Sequence, residues 1–164
     1  MIALVRVDNR LLHGQILEAW IPRLGIGDIV VADDEAASSH LARAALMLCV
    51  PQGMPARIVA PGDVPWEELA GERAASLVLV RDVGALATAR CSGLTPERVR
   101  RINVGNVHFA PGRRPVTPSV FLAADEVSAL RALADAGFEV EARAIPSETP
   151  VGMGEIERRY AAAP

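Results

Sequence analysis

The 164-residue chain contains no lysine; all 17 of its basic residues are arginine. That absence removes whole classes of mechanism, because Schiff-base chemistry, pyridoxal phosphate enzymes and the P-loop G-x-x-x-x-G-K-[ST] all need a lysine amine or ammonium. Cysteine is nearly as scarce. Cys49 and Cys91 lie far apart with no C-x-x-C spacing, so neither a disulfide framework nor a zinc site is expected, and both read as small buried apolar residues. No apolar run approaches the roughly 20 residues that span a bilayer, and the N-terminus lacks the ordered regions of a signal peptide, so a cytoplasmic protein is expected. There is no polycationic tract and the net charge is −3, which argues against nucleic acid as a partner, since its phosphates need a basic face. Linkers, repeats and low-complexity segments are missing too. With 51% apolar residues, the length suffices for one core rather than two, and residues 1–164 read as one domain.

What is present is an alternation of short apolar runs with longer segments of helical period, the pattern of an α/β protein. The runs are "IALVRV" (2–7), "DIVVA" (28–32), "ARIVA" (56–60), "SLVLV" (76–80), "RINVG" (101–105), "SVFLA" (119–123) and "FEVEARA" (138–144). Most are apolar on both faces, which predicts an open, mainly parallel sheet of about six or seven strands with helices on both sides. The last run alternates and reads as a possible antiparallel edge. Helices are expected over 15–21, 39–48, 65–69, 83–89 and 125–136, with Ser38 or Ser39 capping the second and Gly137 ending the last. In the second, Leu41, Ala45 and Leu48 share one face and are expected to point inward. Pro22 is expected to stop or kink the first helix near Trp20.

The stretch that carries chemistry is "RVDNRLLHGQILEAW", Arg6 to Trp20. It occupies the turn after the first strand, at the sheet edge where open α/β folds bind ligands. Arg6 interrupts an apolar strand near its end, so its guanidinium is expected to reach the crevice. Arg10 and His13 flank one tight loop, and Gly14 leaves room for a ligand to approach the backbone. Together they make an anion site with a nucleophile in it: a neutral imidazole can attack phosphorus, and arginines hold the phosphoryl group by charge-assisted hydrogen bonds. Asp33, Asp34 and Glu35 end the second strand as an acidic turn, in which Asp33 or Asp34 is a candidate to orient an arginine at the His13 loop. Asp8, Asp33 and His13 also allow a metal-dependent hydrolase as a rival reading. His40 reads as solvated. His108 is expected to line the site rather than to be a second phosphorylation site. Arg113 and Arg114 read as a solvated turn or as a docking point for an acidic partner.

"VRVDNRLLHGQ" closely resembles the R-[IV]-D-x-R-L-[IL]-H-G-Q segment of the enzyme IIB component of the mannose, fructose and sorbose family of the bacterial sugar phosphotransferase system. "DIVVADDEAA" is similar to that family's second strand and acidic tail, "INVGNVHF" to its I-N-V-G-x-x-H-F segment, and "ALADAGFEVEARAIP" to its closing helix, strand and proline. The resemblance implies that His13 is the phosphorylated histidine and Arg10 the phosphate-binding arginine. Arg6, Asp8, Asn9, Gly14, Gln15 and His108 are then expected to bind phosphate or line the site. It also implies phosphoryl transfer from a IIA phosphohistidine to His13, and onward to a sugar held by membrane components IIC and IID, with the protein peripheral to the membrane. No cofactor or metal is needed for the covalent step, and self-association is left open. The alternative from another class is a non-transport regulatory phosphoprotein or anion-binding module of the same fold. Pro22 and the tail "SETPVGMGEIERRY" depart from the family pattern.

Overall fold

The first apolar run becomes β1 (Ile2–Asp8), the central strand of the computed structural model, which describes residues 1–163. From β1 the chain builds one side of the sheet with β2 (Ile26–Ala32), β3 (Ala56–Val59) and β4 (Ala75–Val80). It then crosses to the other side with β5 (Arg101–Asn106), makes a hairpin of β6 (Arg114–Thr117) and β7 (Val120–Leu122), and returns with β8 (Glu139–Ala142) and β9 (Val151–Gly152). The main sheet runs β3-β2-β4-β1-β5-β8-β9, parallel except for β9. β1 therefore sits where the strand order turns from one side of the sheet to the other, the place where open α/β sheets leave a crevice beyond the strands' carboxyl ends.

Two apolar layers hold the sheet, because strand side chains alternate faces. Val5 and Val7 join one core with Trp66, Leu69, Leu86, Leu130 and Ile156. These come from α4 (Trp66–Gly71), α5 (Val83–Cys91), α6 (Ala124–Asp135) and α7 (Met153–Ala162). Leu4 joins the other core with Ile16, Trp20, Ile29, Val31, Leu77 and Leu79, beneath the helical segment that follows the His13 loop.

Several expectations change on this side. Pro22 does not end the first helix: a π-helical turn (Ile16–Trp20) is followed by α1 (Ile21–Leu24), and the winding stops at Gly25, whose φ is 61°. The wider turn lets Pro22, which has no N–H to donate, sit near the N-terminus of α1, where that N–H is not required. Run 119–123 is not in the main sheet. It forms the outer hairpin with 114–117, joined to β5 and its continuation by the Val107–Val120 bridge and by the Ser119 hydroxyl, which donates to the Gly105 carbonyl at 3.0 Å. Run 138–144 gives β8, which is parallel to β5, and the antiparallel edge is the two-residue β9. The acidic turn continues into α2 (Asp34–Ser38), capped by Asp33, and α3 (His40–Cys49) is capped by Ser39. In α3 the face of Leu41 and Leu48 points outward, with exposures of 82% and 88%. The helix is instead anchored by Leu46 and Val50, and by Arg43, which donates to the carbonyls of Ala37 and Ile58. Cys49 and Cys91 are both exposed. Among the described residues no helix is long and apolar enough to cross a membrane.

Candidate active site

Arg6 and Asp8 are two apart on a strand, so they share a face, the same one that Leu4 presents to the core under the first helix. Both are fully buried, at 0% exposure. The Arg6 guanidinium does not reach the crevice. It donates to Oδ2 of Asp8 from Nε (3.2 Å) and Nη2 (2.8 Å), and through Nη1 to the Asn103 side chain and the Arg143 carbonyl (3.2 Å). It also packs over the Trp20 ring, 5.2 Å from the centroid, and onto Gly105, where any Cβ would overlap it. Burial pushes the Arg6 pKa below its ordinary value, with the Asp8 charge opposing that shift. This arginine is a buried counter-ion for Asp8 and not a group of the crevice surface.

Asp8 turns the buried charge toward the loop. Its Oδ2 lies 3.0 Å from Nε2 of His13, and its Oδ1 accepts the Arg10 backbone N–H at 3.0 Å. Burial pushes the Asp8 carboxyl up, but the His13 hydrogen bond and the Arg6 charge outweigh it and hold its pKa below the usual carboxylate value. The loop that brings these groups together bends at Leu11, a non-glycine residue with φ 54°, whose N–H donates to the Asp8 carbonyl and whose side chain is buried. The left-handed backbone is strained for leucine, and its burial in the core holds it there.

His13 then stands at the mouth of the helical segment, 14% exposed, its carbonyl accepting from Ile16 and Leu17. Its Nδ1 has no hydrogen-bond partner among the described residues. Gly14 is exposed with open space around it, and the first N–H groups of a helical winding lack internal acceptors. Arg10 is 44% exposed. Its Nη2 donates to Gln15 Oε1 at 2.8 Å. The Asn106 carboxamide is fully satisfied when its oxygen accepts from Arg10 Nε (3.0 Å) and His108 Nε2 (3.2 Å) and its nitrogen donates to the Ser119 carbonyl (3.1 Å). A register shift between β1 and β5 sets Asn106 beside Asp8. Asn9 ties neighbouring loops together, donating to the Arg81 carbonyl (2.8 Å) and accepting from the His108 N–H (2.6 Å).

The remaining candidates separate from this cluster. Asp33 caps α2 and takes a two-point ion pair from Arg81 (2.6 and 2.8 Å), which lowers its pKa. It therefore does orient an arginine, though one on β4's exit rather than in the His13 loop. Asp34 and His40 are exposed. Asp8, Asp33 and His13 form no metal-ligating group, and no cluster of three or more His, Cys, Asp or Glu suited to a metal ion occurs among the described residues. His108 is exposed at the rim. Arg113 is not a solvated tip: it pairs with Glu126 (2.9 and 2.6 Å) and donates to the His108 carbonyl, while Arg114 lies over Tyr160. Asn103, Asn106, Gly105 and Trp20 are the participants that the sequence reading passed over. The available signal was a pair of asparagines inside an otherwise apolar strand, since buried polar side chains need partners.

Comparison with known proteins gives the family. The PTS system sorbose subfamily IIB component family matches residues 2–161. The N-acetylgalactosamine-specific phosphotransferase enzyme IIB component 2 of Escherichia coli (strain K12) is 29% identical over 94% of this chain and 98% of its own. The mannose-specific EIIAB component of the same organism is 26% identical over 95% of this chain, which spans 48% of that longer protein. The crystal structure of manxB from Thermoanaerobacter tengcongensis superposes with a TM-score of 0.84 over 98% of this chain and 96% of that one, at 24% identity, and shares the fold. A match across nearly every described residue, on a sheet whose central strand leads into a buried carboxylate, a loop arginine and a mostly buried histidine, places the chain in the sorbose subfamily of IIB components of the phosphotransferase system, the phosphotransferases of sugar uptake.

Proposed function

We propose that His13 is the phosphoryl acceptor and that Nδ1 is the reacting atom. The observation that carries this reading is the 3.0 Å contact between Asp8 Oδ2 and His13 Nε2, which occupies one ring nitrogen and leaves the other without a partner among the described residues. A buried, ionised acceptor at Nε2 fixes the tautomer with its proton there and the Nδ1 lone pair free. That lone pair attacks phosphorus while the bond to the donor imidazole breaks, and the donor's electron pair leaves with its nitrogen. The positive charge that develops on the His13 ring is met by Asp8, whose own charge is anchored by Arg6. Arg10, held at Nε and Nη2 by Asn106 and Gln15, keeps further N–H groups for the three equatorial oxygens of the moving group, as do the N–H groups opening the helical segment.

The donor in this reading is a phosphorylated IIA protein, which suits the mannose-specific EIIAB relative, named for both parts. The acceptor is a sugar hydroxyl presented by IIC and IID components at the cytoplasmic face of the membrane, and residues 1–164 act as one IIB unit. The test is incubation of the full chain with the general phosphotransferase proteins, a matched IIA and labelled phosphoenolpyruvate. The wild-type protein takes up label that is labile to acid and stable to base, as a phosphoramidate is, and folded His13→Ala takes up none. Label persisting in that variant overturns the assignment, and a phosphorus coupling to Nε2 rather than Nδ1 in the NMR spectrum overturns the choice of atom.

A further inference from the structure

The sheet face that carries Leu4 and Arg6 is covered by an apolar layer over only half its width. The core beneath the first helical segment takes residues from β1, β2, β3 and β4 but none from β5 or β8. Those two strands turn Ile102, Val104, Val140 and Ala142 into the opposite core. By alternation their other face shows Arg101 and Asn103 beside Glu139 and Glu141, with Arg143 just beyond. Between this polar half-face, the end of α1 and the 143–147 loop lies a cavity of about 290 Å³ lined by Trp20, Arg23, Leu24, Arg101, Arg143 and Pro146. A neighbouring cavity of about 310 Å³ shares Arg23 and Pro146.

The charges around it do not balance. Arg143 is paired with Glu141 at 2.9 Å, and Glu139 is taken by Arg100 at 2.7 Å. Arg23 and Arg101 have no ion-pair partner among the described residues, although most arginines of the chain are paired. No carboxylate lines the cavity.

We propose that this cavity binds a phosphomonoester dianion, at a site separate from the His13 loop. Two uncompensated guanidiniums match a group that carries about −1.5 to −2 near pH 7, where a carboxylate would leave one cation unanswered. The planar fork of arginine suits phosphate oxygens. Leu24 and Pro146 form the apolar wall against which the organic part of the ester packs, as in small-ligand sites generally, and the fully buried Trp20 lies directly behind Arg143. Occupancy is read at Trp20, whose ring lies 5.2 Å from both the Arg143 and the Arg6 guanidiniums and whose Nε1–H donates to the Ala144 carbonyl at 2.9 Å.

The experiment follows the two indole N–H signals of the full chain by NMR during titration with inorganic phosphate, with glycerol phosphate and with a hexose phosphate, at constant ionic strength. The Trp20 signal is expected to move saturably with the esters, with a midpoint on the order of 1 mM. The Trp66 signal, from the opposite core, stays still. Arg23→Gln and Arg101→Gln each raise the midpoint about tenfold or more, the loss of a charged hydrogen bond, and both variants phosphorylate His13 at the wild-type rate. Arg10→Gln leaves the Trp20 titration unchanged. The proposal is overturned if the Trp20 signal does not move, if sodium chloride alone moves it equally, or if the movement disappears in Arg10→Gln, which would locate the anion in the phosphorylation loop. Movement with inorganic phosphate but not with the esters overturns the ligand class.

Discussion

Replacing Asp8 by asparagine tests the site at its most connected atom. Oδ2 lies within hydrogen-bonding distance of Arg6 Nε, Arg6 Nη2 and His13 Nε2, while Oδ1 accepts from the Arg10 backbone. An amide retains one acceptor and adds two donors, so whichever way it turns, an N–H faces N–H groups at a fully buried position. The Arg6 cation is left buried without a counter-charge. Breaking such a pair by removing one partner costs about 3–5 kcal/mol. At about 2–4 °C per kcal/mol for a chain of this size, the melting temperature falls by about 6–20 °C. The sign of the pH dependence is fixed by the depressed pKa of Asp8. Its contribution is fully present above the ordinary carboxylate value of about 3.9 and is lost as the pH falls through the lower folded value. The wild type and Asp8→Asn therefore converge in stability below about pH 4. Arg6→Leu combined with Asp8→Asn costs less than the sum of the single changes, by about 1–3 kcal/mol. Phosphorylation of His13 in the folded Asp8→Asn protein slows on the order of 100-fold, because the ring loses both its tautomer and its counter-charge. Chemical denaturation across pH together with the labelling assay decides the matter. A stability loss under about 1 kcal/mol at pH 7, or an unchanged labelling rate, refutes the reasoning that Asp8 couples the core to the nucleophile.

Arg10→Lys keeps the charge but loses the fork that Asn106 and Gln15 hold, so labelling of His13 is expected to slow by about 10 to 100-fold, or about 1.4–2.7 kcal/mol. Arg10→Gln slows it more, and neither variant shifts the melting temperature appreciably, since an arginine 44% exposed in a loop contributes little to the core; a wild-type rate in Arg10→Gln would remove Arg10 from the phosphoryl site. His108→Ala is expected to reach the wild-type extent of labelling, at a rate that reports only its contact with Asn106, and complete loss of label in that variant would make His108 a participant in transfer. Gly105→Ala places a methyl where the Arg6 guanidinium lies, which should cost about 1–3 kcal/mol as overpacking; unaltered denaturant unfolding would show that Arg6 can move aside.

The parallel core was legible because buried strands are written as apolar runs, and β1, β2, β4 and β5 fall where those runs predict. The periphery was not. Run 119–123 has the same composition as a core strand, and only the Val107–Val120 bridge and the pairing with 114–117 distinguish it in space. α3 has a helical stripe at 41, 45 and 48, but periodicity names a face without saying what lies against it. The docking contacts of Arg43, Leu46 and Val50 set the rotation of that helix. Pro22 shows the same limit at the level of hydrogen bonds, since a π-helical turn upstream makes its missing donor harmless.

The site divides along the same line. His13 and Arg10 stand in a local motif, and local spacing puts both in the loop after β1, where they are found. Arg6 was misplaced because its partners, Asn103 and Arg143, are 97 and 137 residues away, though its two-residue spacing from Asp8 already put both on one face. The loop between them is built against its own backbone preference. A leucine held in the left-handed region costs about 1–3 kcal/mol, and burying that side chain returns about 1.5–3 kcal/mol. Leu11 thus converts core packing into loop shape, and the Arg6–Asp8 pair converts core electrostatics into the orientation of one imidazole. Stability and activity are consequently tied together at Asp8 but are expected to separate at Arg10, whose guanidinium is 44% exposed and, in the proposed reaction, meets the phosphoryl group from the solvent side.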